Sequence, residues 1–145
     1  MAVEFTLDPE IKHQILDQVQ SVLPEEGCGF IAGKRLISTR VLPVTNRLHS
    51  PFRFEMEPYE QIKAMIWAEE NELDIVAIYH SHPSGPAVPS PTDLSEYAYP
   101  GVVYLILSRQ PADKNWQVRA FQIESQQYEE LSITEGVNNH RPGGI

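Results

Sequence analysis

LDIVAIYHSHPSGPAVPSPTD, residues 73–93, is the stretch on which the fold of this chain turns. Its first half is a short apolar run rich in β-branched residues, the pattern of a buried strand, and it ends on two histidines one residue apart. Side chains two apart on a strand share a face, so His80 and His82 stand side by side while Ser81 turns away. Pro83 cannot continue a ladder and sends the chain into a Pro- and Ser-rich loop. That loop can return Asp93 to the histidines. Two imidazoles and a carboxylate form a catalytic zinc set, with one coordination position left for water.

Simpler readings compete with this one. A histidine next to a buried strand is often only hydrogen-bonded, although a polar pair following so apolar a strand needs partners if it is buried. Asp93 has an alternative role, because Ser90, Pro91, Thr92 and Asp93 read as a helix start with Ser90 as N-cap and Asp93 as the capping-box acid. Spacing alone leaves capping and ligation by Asp93 equally open. Other histidine-pair architectures fit less well. A cupin wants a Glu where Pro86 and Ala87 stand, and the metallo-β-lactamase pattern wants an acid and a third histidine at Ser84 and Gly85. A zinc deaminase needs His-x-Glu and a cysteine pair. What remains is a metal-dependent hydrolase, which still needs a base for its water. Glu25 and Glu26, leading into GCGFIAG, are the acids most exposed to burial, and spacing does not choose between them.

Around this centre the pattern is of alternating elements. VEFTL reads as a strand, and DPEIKHQILDQVQSVL as a helix capped by Asp8, with Ile11, Ile15 and Val19 as its apolar stripe. GCGFIAG and RLISTRVLPV read as a hairpin turning near Gly33 and Lys34, and FRFEME alternates as a strand would. PYEQIKAMIWAEENE follows as a helix with Ile62, Met65 and Ile66 expected to face inward. Beyond the histidine strand come a short helix from Pro91 to Tyr97 and strands at VVYLILS, WQVRAFQI and YEELSI. The expectation is one α/β domain of mixed α+β type over residues 1–134, a curved mixed sheet flanked by helices, followed by a flexible tail at 135–145.

Composition narrows the function. The chain has 145 residues, a single cysteine and a formal net charge of −9. Cys28 has no partner for a disulfide or a cysteine-rich zinc ribbon, so it reads as a small buried residue. No basic cluster exists to neutralise phosphates, which argues against a nucleic-acid partner. No apolar run approaches the roughly 20 residues of a membrane span, and MAVEFTLDPE lacks the pattern of a signal peptide, so the expectation is a cytoplasmic protein without a membrane partner. Neither Trp67 nor Trp116 suggests more than packing, and His13, His49 and His140 have local readings, with His49 in a loop that could rim a cleft.

PEEGCGFIAG at 24–33 together with HSHPSGPAVPSPTD at 80–93 resembles the JAMM, or MPN-plus, metallopeptidases. Their pattern is Glu-x-Cys-Gly, then far downstream His-x-His, seven residues, Ser, two residues, Asp. Every position is filled here, by Glu26, Cys28, Gly29, His80, His82, Ser90 and Asp93. The order of helix, hairpin, Asn46, FRFEMEP, second helix and later strands also follows the family, over about Phe5 to Ile133. The resemblance implies a JAB/MPN fold with cytidine-deaminase-like architecture. It further implies one Zn²⁺ per chain on His80, His82 and Asp93, Glu26 rather than Glu25 as general base and acid, and Ser90 as donor to the oxyanion. The implied reaction is hydrolysis of a peptide or isopeptide bond at the C-terminus of a ubiquitin-like or sulfur-carrier protein ending in Gly-Gly. The compact chain is similar to the stand-alone prokaryotic type. The rival reading is a non-catalytic MPN-type scaffold, against which the intact motif argues. A homodimer is left open, since no stripe in the sequence demands one.

Overall fold

The strand that ends on the histidines, β4 (Asp74–His82), lies in the middle of a seven-stranded sheet because it is apolar on both faces: Val76 to His82 are all buried. In the computed structural model, residues 4–97, 99–110, 112 and 114–136 are described. The other elements are β1 (Glu4–Thr6), α1 (Pro9–Ser21), β2 (Cys28–Lys34), β3 (Ile37–Val44), α2 (Pro58–Glu70), α3 (Pro91–Glu96), β5 (Val103–Arg109), β6 (Trp116–Glu124) and β7 (Gln127–Thr134). Strand order is β1-β3-β2-β4-β5-β6-β7, and the sheet curls until β1 pairs with both outer strands and closes it. Pairing is mixed. β4 runs parallel to β5 and antiparallel to β2, placing Cys28 opposite His80 and His80 opposite Ile106.

Each face of the sheet carries its own core. On one face α1 lays down Ile11, Ile15 and Val19 against Ala77, Tyr79, Leu105, Leu107, Ala120 and Leu131. The helix begins where expected, Pro9 following an Asp8 cap whose side chain accepts from the Glu10 N–H at 2.8 Å. On the other face Cys28, Phe30, Val44, Ile78, Tyr104 and Ile123 pack with Met56 and Ala64 beneath α2. The period of two sends Tyr79 toward α1 and Ile78, His80 and His82 toward α2.

Three local expectations are corrected. The hairpin turns at Arg35 and Leu36, both at positive φ (53° and 64°), rather than near Gly33 and Lys34. Gly33 is inside the strand because a Cβ there would stand 1.9 Å from the Ile37 carbonyl oxygen, beside a register shift. FRFEME is not a strand; only Met56 forms an isolated bridge, to Asn46. In α2 the buried residues are Ala64 and Ala68, while Ile62 and Ile66 are 57% and 49% exposed. Small residues face the sheet here, and that brings the helix close over β4. The expected tail at 137–145, including His140, lies outside the described residues.

Candidate active site

β4 delivers both imidazoles to the α2 face at its C-terminal end, where the parallel neighbour β5 supports it. The loop from Pro83 to Pro89 then folds back, held by the Ser108 hydroxyl donating to the Gly85 carbonyl. Its return starts α3, and here the two roles weighed for Asp93 prove compatible. Ser90 Oγ accepts from the Asp93 N–H at 3.0 Å, and Asp93 Oδ2 accepts from the Ser90 N–H at 2.9 Å, which is a complete capping box. The same Oδ2 lies 3.1 Å from His80 Nε2 and 3.1 Å from His82 Nε2, and the two nitrogens are 3.0 Å apart. Capping therefore aims the carboxylate at the histidines.

The tautomers follow from the surroundings. His82 Nδ1 is 2.8 Å from the Pro86 carbonyl oxygen, which can only accept, so Nδ1 carries a proton. A neutral His82 then turns a bare lone pair toward the Asp93 carboxylate and His80. Such convergence needs a positive charge at its centre, either a second proton on His82 or a cation. Tetrahedral zinc with bonds of about 2.0–2.1 Å holds its ligand atoms roughly 3.3 Å apart, close to the spacing found. The donor set fits zinc, and the His82-to-carbonyl bond is the outer contact that metal-binding histidines use.

The electrostatics agree. Burial opposes ionisation of Asp93, but its interaction with His80 and the hydrogen bonds from His80, His82 and the Ser90 N–H outweigh it, holding the carboxylate well below its usual range. Burial pushes the pKa of His80 down, against the attraction of Asp93. For His82 burial is outweighed by the hydrogen bonds to Asp93 and Pro86, and its pKa rises. Of the two histidines, His82 is the one whose protonated form these surroundings favour.

Glu26 comes from the segment before β2. It is 4% exposed, and one ligand atom from each of Glu26, His80 and His82 lies within 4.8 Å of the others. Among the described residues its Oε1 has no hydrogen-bond partner. Burial pushes its pKa up to about 8, His82 opposing and Asp93 adding to the shift. A carboxyl with that pKa is poised to take and return a proton near neutrality. Glu25 instead points outward, 3.1 Å from the exposed His49 Nδ1. Cys28 is fully buried, its thiol donating toward the Val44 carbonyl and its pKa pushed up to about 12 by burial and the nearby Glu26 and Glu60. That suits packing rather than nucleophilic chemistry.

Several neighbours were not singled out by the sequence. Phe54 stacks on His80 with ring centroids 4.6 Å apart at 24°. Ser81, turned away as expected, accepts from the Gly27 N–H at 2.8 Å and donates its own N–H to the Gly27 carbonyl at 3.0 Å, tying the Glu26 segment to β4. A cleft of about 260 Å³ opens beside the cluster between the Phe54–Pro58 segment and Tyr97 and Tyr99, floored by Ile78 and Tyr104, with His80 and Asp93 in its wall. Arg53 and Glu96 form an ion pair from one side of it to the other.

With this geometry established, comparison with known proteins defines the class. Residues 8–123 match the family of prokaryotic homologues of the JAB domain, and the chain belongs to that family. Among relatives, a desampylase of Pyrococcus furiosus is 41% identical over 91 residues, covering 63% of this chain and 65% of that protein, so the chain spans slightly less than two thirds of this relative's length. A CysO-cysteine peptidase of Mycobacterium tuberculosis is 31% identical over 102 residues, covering 69% of each chain. The solution structure of a Desulfitobacterium hafniense protein superposes with a TM-score of 0.82 at 30% identity, covering 94% of this chain and 97% of that one.

Proposed function

We propose that this protein is a zinc-dependent metallopeptidase that hydrolyses a peptide or isopeptide bond at the C-terminus of a ubiquitin-like or sulfur-carrier protein. The observation that carries it is the meeting of His80 Nε2, His82 Nε2 and Asp93 Oδ2 within 3.1 Å of one another beside the buried Glu26, whose Oε1 has no hydrogen-bond partner among the described residues. The substrate class draws on the desampylase and the CysO-cysteine peptidase among its relatives. Residues 1–134 would form the catalytic domain, acting in the cytoplasm on carriers ending in Gly-Gly.

His80, His82 and Asp93 would hold one zinc ion, which would supply Lewis acidity and lower the pKa of a water. Glu26 Oε1 accepts the proton of the attacking water and returns it to the leaving amine. Ser90 Oγ accepts from the Asp93 N–H, so its own proton is left to donate to the oxyanion. Asp93, held ionised, keeps its Oδ2 directed at both histidines. The aromatic cleft beside His80 and Asp93 shields the reacting carbonyl from bulk water and provides the wall along which an extended tail lies.

The test is cleavage of ubiquitin-like and sulfur-carrier proteins ending in Gly-Gly, each fused through its C-terminus to a reporter peptide or joined to a lysine side chain. Zinc at about one per chain with hydrolysis after the terminal glycine is expected. Bound zinc with no cleavage of any carrier would favour the scaffold reading, and absence of zinc binding would refute the enzyme.

A further inference from the structure

Asn46 is 4% exposed and uses its entire side-chain hydrogen-bonding capacity. Its Nδ2 donates to the Glu26 carbonyl at 3.1 Å and to the Arg53 carbonyl at 3.1 Å, with the Ser50 carbonyl at 3.4 Å sharing a proton. Its Oδ1 accepts from the Leu48 N–H and the Glu55 N–H, both at 3.1 Å. Only one orientation of the amide is possible, since the reverse would set its oxygen against three carbonyl oxygens and its NH₂ against two N–H groups. Besides the Leu48 N–H and the Ser50 carbonyl in its own loop, these bonds go to two places. The first is the main chain of Glu26, whose N–H also donates to the Ser50 carbonyl at 2.8 Å. The second is the pair of residues on either side of Phe54, the ring stacked on His80.

From this we infer that Asn46 is a positioning residue that fixes the main chain of the general base and the ring bracing His80 in one mutual geometry. The inference rests on Glu26 and His80 having the roles proposed above. The segment between Asn46 and Met56 has no regular secondary structure and is closed by one isolated bridge, the Arg47 N–H to Glu55 carbonyl bond and the Glu57 N–H to Thr45 carbonyl bond. Without the amide, nothing else among the described bonds joins that segment's Phe54 side to the Glu26 carbonyl. Among the described residues no hydrogen bond holds the Glu26 Oε1, so a displacement of the Glu26 backbone carries the base with it.

The experiment uses the full chain with Asn46→Ala and the isosteric Asn46→Asp, which keeps the acceptor and removes the donors, alongside Phe54→Leu. In the metal-free proteins, the His80 imidazole proton resonances, assigned by their loss in His80→Gln, report the stacked Phe54 ring through its ring current. Loss of that upfield displacement in Asn46→Asp or Asn46→Ala, to the value seen in Phe54→Leu, is the expected result. In zinc-loaded protein a fall in kcat of about 10²-fold with unchanged KM is expected, the scale on which small misplacements act. A wild-type ring-current shift together with a wild-type kcat, even with a lower melting temperature, would reduce Asn46 to a structural residue and overturn the inference. Should neither variant fold, hydrogen exchange in the wild type decides: the Asn46 side-chain NH₂ and the Leu48 and Glu55 amides must be protected together, and free exchange of that NH₂ overturns it. If wild-type protein cleaves no carrier, the proposed function fails while the ring-current and exchange results still settle the role of Asn46.

Discussion

α1 and α2 are both thirteen residues long and both begin on a proline, yet they treat the sheet in opposite ways. α1 drives Ile11, Ile15 and Val19 into one face and seals it. α2 buries Ala64 and Ala68 and packs a partly buried Met65 against the other, and turns Tyr59, Ile62 and Ile66 outward, at 69%, 57% and 49% exposure. The sealed face is built for stability. The face under α2 is shallower, and its first turn, with Pro58 and Gln61, becomes a wall of the cleft that reaches His80 and Asp93. The histidines project to the second face, where both Nε2 atoms meet Asp93 while Glu26 Oε1 and His80 Nδ1 are buried without a hydrogen-bond partner among the described residues.

That contrast can be broken in graded ways. The largest effect expected is on metal binding: Asp93→Ala removes the carboxylate that touches both histidines and its cap on α3, and metal analysis should find zinc lost while circular dichroism still shows the sheet. Next, Ile15→Ala on the sealed face should destabilise the fold by about 2–5 kcal/mol in denaturant unfolding, with zinc still bound by the folded fraction. A smaller effect is expected from pH. Folded metal-free protein holds Glu26 with its pKa pushed up to about 8, whereas the unfolded chain titrates near 4.5, so this group's stabilisation is complete below the unfolded value and is lost as pH rises through about 8. The raised pKa of His82 acts in the same direction and the lowered pKa of His80 in the opposite one, so the Glu26 share is read from the difference between wild type and Glu26→Gln. Thermal melts of metal-free protein should therefore fall between about pH 5 and pH 8, less steeply in Glu26→Gln; a curve flat in the wild type would contradict the burial of a protonated Glu26. The smallest effect is expected of Ile62→Ala, within about 0.5 kcal/mol, and a loss like that of Ile15→Ala would erase the distinction between the two helices.

Much of this was legible in the sequence where the signal was local. The apolar run into His80 and His82, the proline that ends it, and the Ser90–Asp93 cap each follow from neighbouring residues, and the structure brings Glu26, His80, His82, Ser90 and Asp93 together. Competition between remote groups was not legible. FRFEME alternates like a strand, but Asn46 takes the Arg53 carbonyl and Glu55 N–H, Phe54 goes to the His80 ring, and Arg53 pairs with Glu96. In α2 the apolar period marked Ile62 and Ile66, yet alanines allow the nearer approach to β4. The turn at Arg35 and Leu36 lacks the glycine that usually announces one, because Gly33 is required earlier, against the Ile37 carbonyl. The resemblance marked Asn46 by its place in the family order but not by its role, because its five contacts are spread from Glu26 to Glu55.

The central claim is that Glu26 moves the proton for a reaction at His80, His82 and Asp93. It is tested most directly by comparing wild-type protein with Glu26→Gln at equal, measured zinc content, following release of a lysine-linked peptide from a carrier ending in Gly-Gly. The account predicts the same zinc stoichiometry in both proteins and a loss of turnover of about 10²–10⁴-fold in the variant. Cleavage by Glu26→Gln at the wild-type rate, with zinc bound, would contradict it.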